Sequence, residues 1–127
     1  MWYSFAMIRA IIFDLSDVCF TAEEPPFLRR FAKRHHLPFA EFEREYLKLI
    51  PPSENHRISG KELWRRLLKR YRLRLDVDEI ISEMIDKRRE KKSTLVFVKK
   101  LREHGFKTAY FTNYNKDYWD EIVRRFP

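Results

Sequence analysis

An aspartate that closes an apolar run can serve as a nucleophile or a metal ligand, and this 127-residue chain has one at Asp14. It follows residues 8–13, IRAIIF, a short apolar segment bounded by polar residues that reads as a buried strand. A second apolar run, FKTAYF at 106–111, ends at Thr112 and Asn113. In open α/β sheets ligands bind beyond the carboxyl ends of the strands, so Asp14 and Thr112 would meet at one sheet edge. A carboxylate beside a hydroxyl and free backbone N–H groups suits an anion such as phosphate. The local alternative is that Asp14 caps a turn and Thr112 merely finishes a strand. Spacing alone leaves the two readings level.

The elements that must position these groups follow from periodicity. From about Pro25 the period becomes helical: Phe27, Leu28, Phe31 and Ala32 mark a helix that ends near His35, His36 and Pro38. Phe39, Phe42, Tyr46, Leu49 and Ile50 mark a second, which Pro51 and Pro52 should stop. Ser59 and Glu62 form a capping box, with Glu62 reaching back, for a helix that buries Trp64, Leu67, Leu68 and Tyr71. Asp76 or Asp78 caps the next, with Ile80, Ile81, Met84 and Ile85 inward. Another helix runs from about Thr94 to His104 and stops at Gly105, as a C′ glycine. After the second strand a last helix carries Tyr118, Trp119, Ile122, Val123 and Phe126. Two strands joined through a helix predict an α/β fold: a partial Rossmann-like parallel sheet with an inserted α-helical cap. The expected division is a core of residues 7–21 and 93–127 and a cap of 22–92.

Composition bounds the rest. With 44% hydrophobic and 36% charged residues the chain is a globular domain, and no apolar stretch approaches the ~18 residues of a membrane span. The opening lacks a basic n-region and is interrupted by Arg9, which points away from a signal peptide and toward a cytoplasmic protein. Met7 is an alternative start, and Trp2, Tyr3 and Phe5 then read as an arm or as untranslated sequence. A single cysteine, Cys19, excludes a disulfide framework and reads as a small buried hydrophobe. His35 and His36, and likewise His104, read as helix ends rather than metal ligands. The absence of glutamine beside abundant Lys, Arg and Glu resembles the bias of heat-adapted proteins.

The residues IRAIIFDLSDVCF, then a helical insertion, then FKTAYFTN resemble the haloacid dehalogenase superfamily of hydrolases, in the branch with an α-helical cap between the first two motifs. The resemblance implies that Asp14 attacks phosphorus and forms an aspartyl-phosphate. It implies that the Asp14 carboxylate and the Ser16 carbonyl help hold Mg²⁺, and that Thr112, with Asn113 beside it, binds the phosphoryl oxygens. The implied substrate is a small phosphorylated metabolite. Where the family's phosphatases carry a second aspartate as general acid, this chain has Ser16, a far weaker acid, and Asp17 stands one position late as a substitute. The family's later lysine and acidic motifs lie on further strands, Lys116 follows Thr112 too closely to be that lysine, and the expectation is of an N-terminal half of such an enzyme.

Two other functions compete. A half-domain with uncovered strands would act by pairing with another copy or with a complementing partner. Residues 57–74 hold eight basic residues and one acidic, so a basic helical face of Lys61, Arg65, Arg66, Lys69, Arg70, Arg72 and Arg74 could grip nucleic-acid phosphates. With no nucleic-acid motif and no aromatics interleaved on that face, a solvated helix surface is the better reading.

Overall fold

A computed structural model describes residues 7–22 and 24–126. The elements run β1 (Ala10–Asp14), α1 (Glu24–Arg34), α2 (Phe39–Glu54), α3 (Gly60–Arg70), α4 (Val77–Asp86), α5 (Lys92–Glu103), β2 (Lys107–Phe111) and α6 (Lys116–Arg125). The fold is mixed α/β, six helices with a two-stranded parallel sheet. It divides into two compact units, residues 7–22 with Arg89–Thr112, and residues 24–88 with 113–126. The opening residues Trp2, Tyr3 and Phe5 lie outside the described residues. No helix among the described residues is long and apolar enough to cross a membrane.

In the first unit β1 and β2 pair in parallel, Ala10 with Lys107 through Asp14 with Phe111. The helix α5 packs on β2, and Phe13 meets Phe97 edge-on at 6.4 Å between ring centres. The α5 terminus is a full Schellman motif: Gly105 has φ +87°, its N–H donates to the Arg102 carbonyl at 3.0 Å, and the Phe106 N–H donates to the Leu101 carbonyl at 3.0 Å. The expectation of buried strands fails here. Ile12 is 68% exposed and Phe111 70%, because paired residues of a parallel sheet share a face and α5 covers only one.

The second unit is helical, and α1 packs on α2, α2 on α3, α3 on α4, and α6 on both α3 and α4. Its core is aromatic. Trp64 is wholly buried, with the rings of Phe27, Phe31, Phe42 and Tyr46 centred 5.4–6.4 Å from it. Such pairs add roughly 0.5–1.5 kcal/mol each beyond the area they bury. Three sequence expectations need correction. Pro51 and Pro52 do not stop α2, which continues to Glu54: they sit in its last turn, and their carbonyls take the Asn55, Arg57 and Ile58 N–H groups that follow. Ser59 accepts the Glu62 N–H at 3.0 Å as a cap should, but the Glu62 carboxylate turns to Arg66 at 3.1 Å rather than back to the cap. Finally, residues 113–127 were expected with the sheet, yet the described part groups with the helices. The reason is that Tyr118 and Ile122 of α6 are buried there and Asp117 accepts the Lys61 N–H at 2.8 Å.

Gly60, at the first position of α3, shows how tightly α6 is docked. A Cβ placed on it would lie 2.4 Å from Asn115 Oδ1. Asn115 is itself fixed, donating to Ser53 Oγ at 2.8 Å and accepting the Tyr118 N–H at 3.0 Å as the α6 N-cap. Helix propensity alone would make Gly60→Ala stabilising by up to about 1 kcal/mol. The close approach reverses the sign, and urea unfolding is expected to show a loss of about 1–3 kcal/mol.

Candidate active site

The loop after β1 is built by backbone hydrogen bonds that turn the chain immediately past Asp14. The Cys19 and Phe20 N–H groups donate to the Leu15 carbonyl at 3.0 and 3.2 Å, and Asp17 N–H donates to the Phe20 carbonyl at 2.7 Å. Leu15, Cys19 and Phe20 are buried, which anchors the loop and leaves Asp14 exposed at its mouth. The Leu15 N–H donates to Asp14 Oδ1 at 2.7 Å, so one carboxylate oxygen is held by the backbone and the other is left for a ligand. Cys19 behaves as the buried hydrophobe expected of it, and burial, then the Asp14 charge, pushes its thiol pKa up.

The remaining candidates are placed differently. Thr112 follows Phe111, the register partner of Asp14, and so stands at the same carboxyl edge of the sheet. Asn113 is exposed and belongs to the helical unit. Ser16 lies within the loop, and its carbonyl accepts no hydrogen bond among the described residues. Asp17 adopts φ +58°, a left-handed conformation that Asp tolerates better than most residues, and its carboxylate is drawn off by Lys91 at 3.0 Å. Sequence reasoning passed over Lys91. Its Nζ also donates to the Asp17 carbonyl at 2.8 Å and its N–H to the Cys19 carbonyl at 2.7 Å, so a cation from the start of α5 is fixed on the β1 loop. No spacing signal joins positions so far apart in sequence. The only clue was a lysine preceding the helix that returns to the sheet.

No group of three or more His, Cys, Asp or Glu side chains converges on a possible metal position among the described residues. The basic segment is partly neutralised within its own unit: Arg70 pairs with Glu41 and Glu45, Arg66 with Glu62, and Lys61 with Asp78. Arg57, Lys69, Arg72 and Arg74 form no ion pair among the described residues. No protein-family model matches the chain, and no curated protein matches it.

Proposed function

We propose that the chain is a hydrolase of the haloacid dehalogenase type, acting on a small phosphorylated metabolite through an aspartyl-phosphate on Asp14. One observation supports it above others: the parallel register sets the strand-ending Asp14 against Phe111, so that Thr112 follows at the same carboxyl edge. In this reading the free Asp14 oxygen attacks phosphorus in line, and the ester oxygen leaves with the bonding electron pair. Water then attacks the aspartyl-phosphate, releasing inorganic phosphate and restoring the carboxylate. Thr112 donates to the phosphoryl oxygens.

The residues present fit Mg²⁺, which keeps most of its waters and takes one or two carboxylates from a protein. Asp14 Oδ1, which keeps a second lone pair beyond the Leu15 N–H, and the open Ser16 carbonyl would hold it, with the other Asp14 oxygen kept for the attack. When bound, it neutralises charge on the transferring phosphoryl group. With Ser16 two residues past the nucleophile and Asp17 held by Lys91, the leaving oxygen takes its proton from solvent. The reading therefore favours aryl or acyl phosphates, whose leaving groups depart without a protein acid. Mg²⁺-dependent release of nitrophenol from 4-nitrophenyl phosphate, measured beside Asp14→Asn, is the test. Absence of turnover by the unaltered chain under saturating Mg²⁺ would overturn it.

A second reading rests on the uncovered sheet face, where Ile12, Ala109 and Phe111 lie between Lys107 at one end and Asp14 at the other. Two such faces stacked antiparallel would bring each copy's lysine end over the other's aspartate end, which favours a second copy of this chain as the occupant. Sedimentation equilibrium is expected to show a dimer that Ile12→Lys dissociates. A monomer at all concentrations would remove this reading.

A further inference from the structure

The helical unit contains a cavity of ≈ 200 Å³ lined among others by Glu24, Tyr46, Leu47, Ile50, Glu54 and Tyr118. At roughly 30 Å³ per water it has room for about seven waters, below the ~300–1,000 Å³ of a drug-sized pocket. Its wall carries a hydrogen-bond imbalance. Trp64 Nε1–H donates to the Tyr118 hydroxyl at 2.9 Å, and the Tyr118 and Tyr46 hydroxyls are 3.4 Å apart. These three groups hold three hydrogens but only two oxygens, and the oxygens can receive one from Trp64 and one from each other. Whichever phenol donates across the pair, the other keeps an O–H with no acceptor among the described residues. Both rings line the cavity, and both residues are 98% buried. Burial pushes both phenol pKa values well above normal, so neither sheds the surplus hydrogen at neutral pH. A buried donor of this kind calls for an acceptor.

Charge supplies the second constraint. Glu24 is matched by the buried Arg88, whereas Glu54 forms no ion pair among the described residues. The lining thus carries one unmatched negative charge, beside the apolar Leu47 and Ile50. We propose that this cavity binds a small monocationic amine with an apolar body and one uncharged oxygen, its ammonium against Glu54 and its oxygen accepting the surplus phenol hydrogen. A ring-hydroxylated arylalkylamine has this chemistry, and its recognition is independent of Asp14.

Calorimetric titration of the whole chain with tyramine, 2-phenylethylamine and 4-hydroxyphenylacetate separates the terms. Tyramine is expected to bind saturably, 2-phenylethylamine about tenfold more weakly for want of the oxygen, and the carboxylate not at all. Glu54 is exposed, so Glu54→Gln should leave the unfolding midpoint unchanged while weakening tyramine by about tenfold or more. Three results would each overturn the proposal: no saturable tyramine binding up to about 10 mM by the folded chain, equal binding of the carboxylate, or indifference to Glu54→Gln.

Discussion

Asp14→Asn is expected to lower Mg²⁺-dependent hydrolysis of 4-nitrophenyl phosphate by about 10⁴-fold or more while leaving folding intact. The amide is the same shape as the carboxylate, and its oxygen can still accept the Leu15 N–H that Asp14 Oδ1 takes at 2.7 Å. The loop itself is tied by the Leu15 and Phe20 carbonyls and by the buried Leu15, Cys19 and Phe20, none of which depends on the Asp14 charge. The substitution removes only the nucleophile, since an amide cannot form the acyl phosphate that water then clears. Unchanged unfolding in urea, together with loss of turnover and of covalent phosphate, would tie the chemistry to this side chain. Turnover that survives the change would place the hydrolysis elsewhere and leave Asp14 as a turn residue.

The nucleophile and the contacts that hold its surroundings were unequally legible in the sequence. Asp14 and Thr112 could be placed because a strand end is a local event: the apolar run stops, polar residues follow, and the period changes. The helix faces were legible for the same reason, and Phe27, Leu28, Phe31 and Ala32, like Ile80, Ile81, Met84 and Ile85, are buried as their spacing requires. What periodicity does not carry is the identity of the partner. The apolar stripe of α6 would suit a sheet or a bundle equally, and long-range pairings such as the Trp64–Tyr118, Asn115–Ser53 and Lys61–Asp117 hydrogen bonds decide for the helices. The clamp of Lys91 on Asp17 and the neutralisation of Arg70 by Glu41 and Glu45 are likewise pairings between distant positions. Pro51 and Pro52 misled for a different reason, because a proline's penalty falls on the interior of a helix, and these two lie in the final turn.

Glu24→Ala should destabilise the chain by about 3–5 kcal/mol, the largest stability effect expected of any single exposed or half-buried site. Its partner Arg88 is wholly buried, ion-paired to Glu24, with its guanidinium 4.8 Å from the centre of the Tyr114 ring. That guanidinium is wholly buried, so removing the carboxylate takes an ion-pair partner away from a charge in the interior. For a domain whose whole stability is about 5–15 kcal/mol, that is about a fifth of it or more. The position of the pair explains why a charge is tolerated there. Glu24 and Arg88 stand at the two ends of the segment 24–88 of the helical unit, and in the other unit Thr21 N–H donates to the Arg89 carbonyl at 2.9 Å and Arg89 N–H to Thr21 Oγ1 at 3.0 Å. The ion pair thus closes a long loop at its base, opposing the entropy that would let its ends separate. Two further variants separate charge from closure. Glu24→Gln keeps an oxygen acceptor and should lose less than Glu24→Ala. Glu24→Leu combined with Arg88→Met removes both charges and should recover most of the loss in urea unfolding. If the double variant is no more stable than Glu24→Ala, the contribution of the pair lies in holding the ends of the segment 24–88 together rather than in satisfying a buried charge.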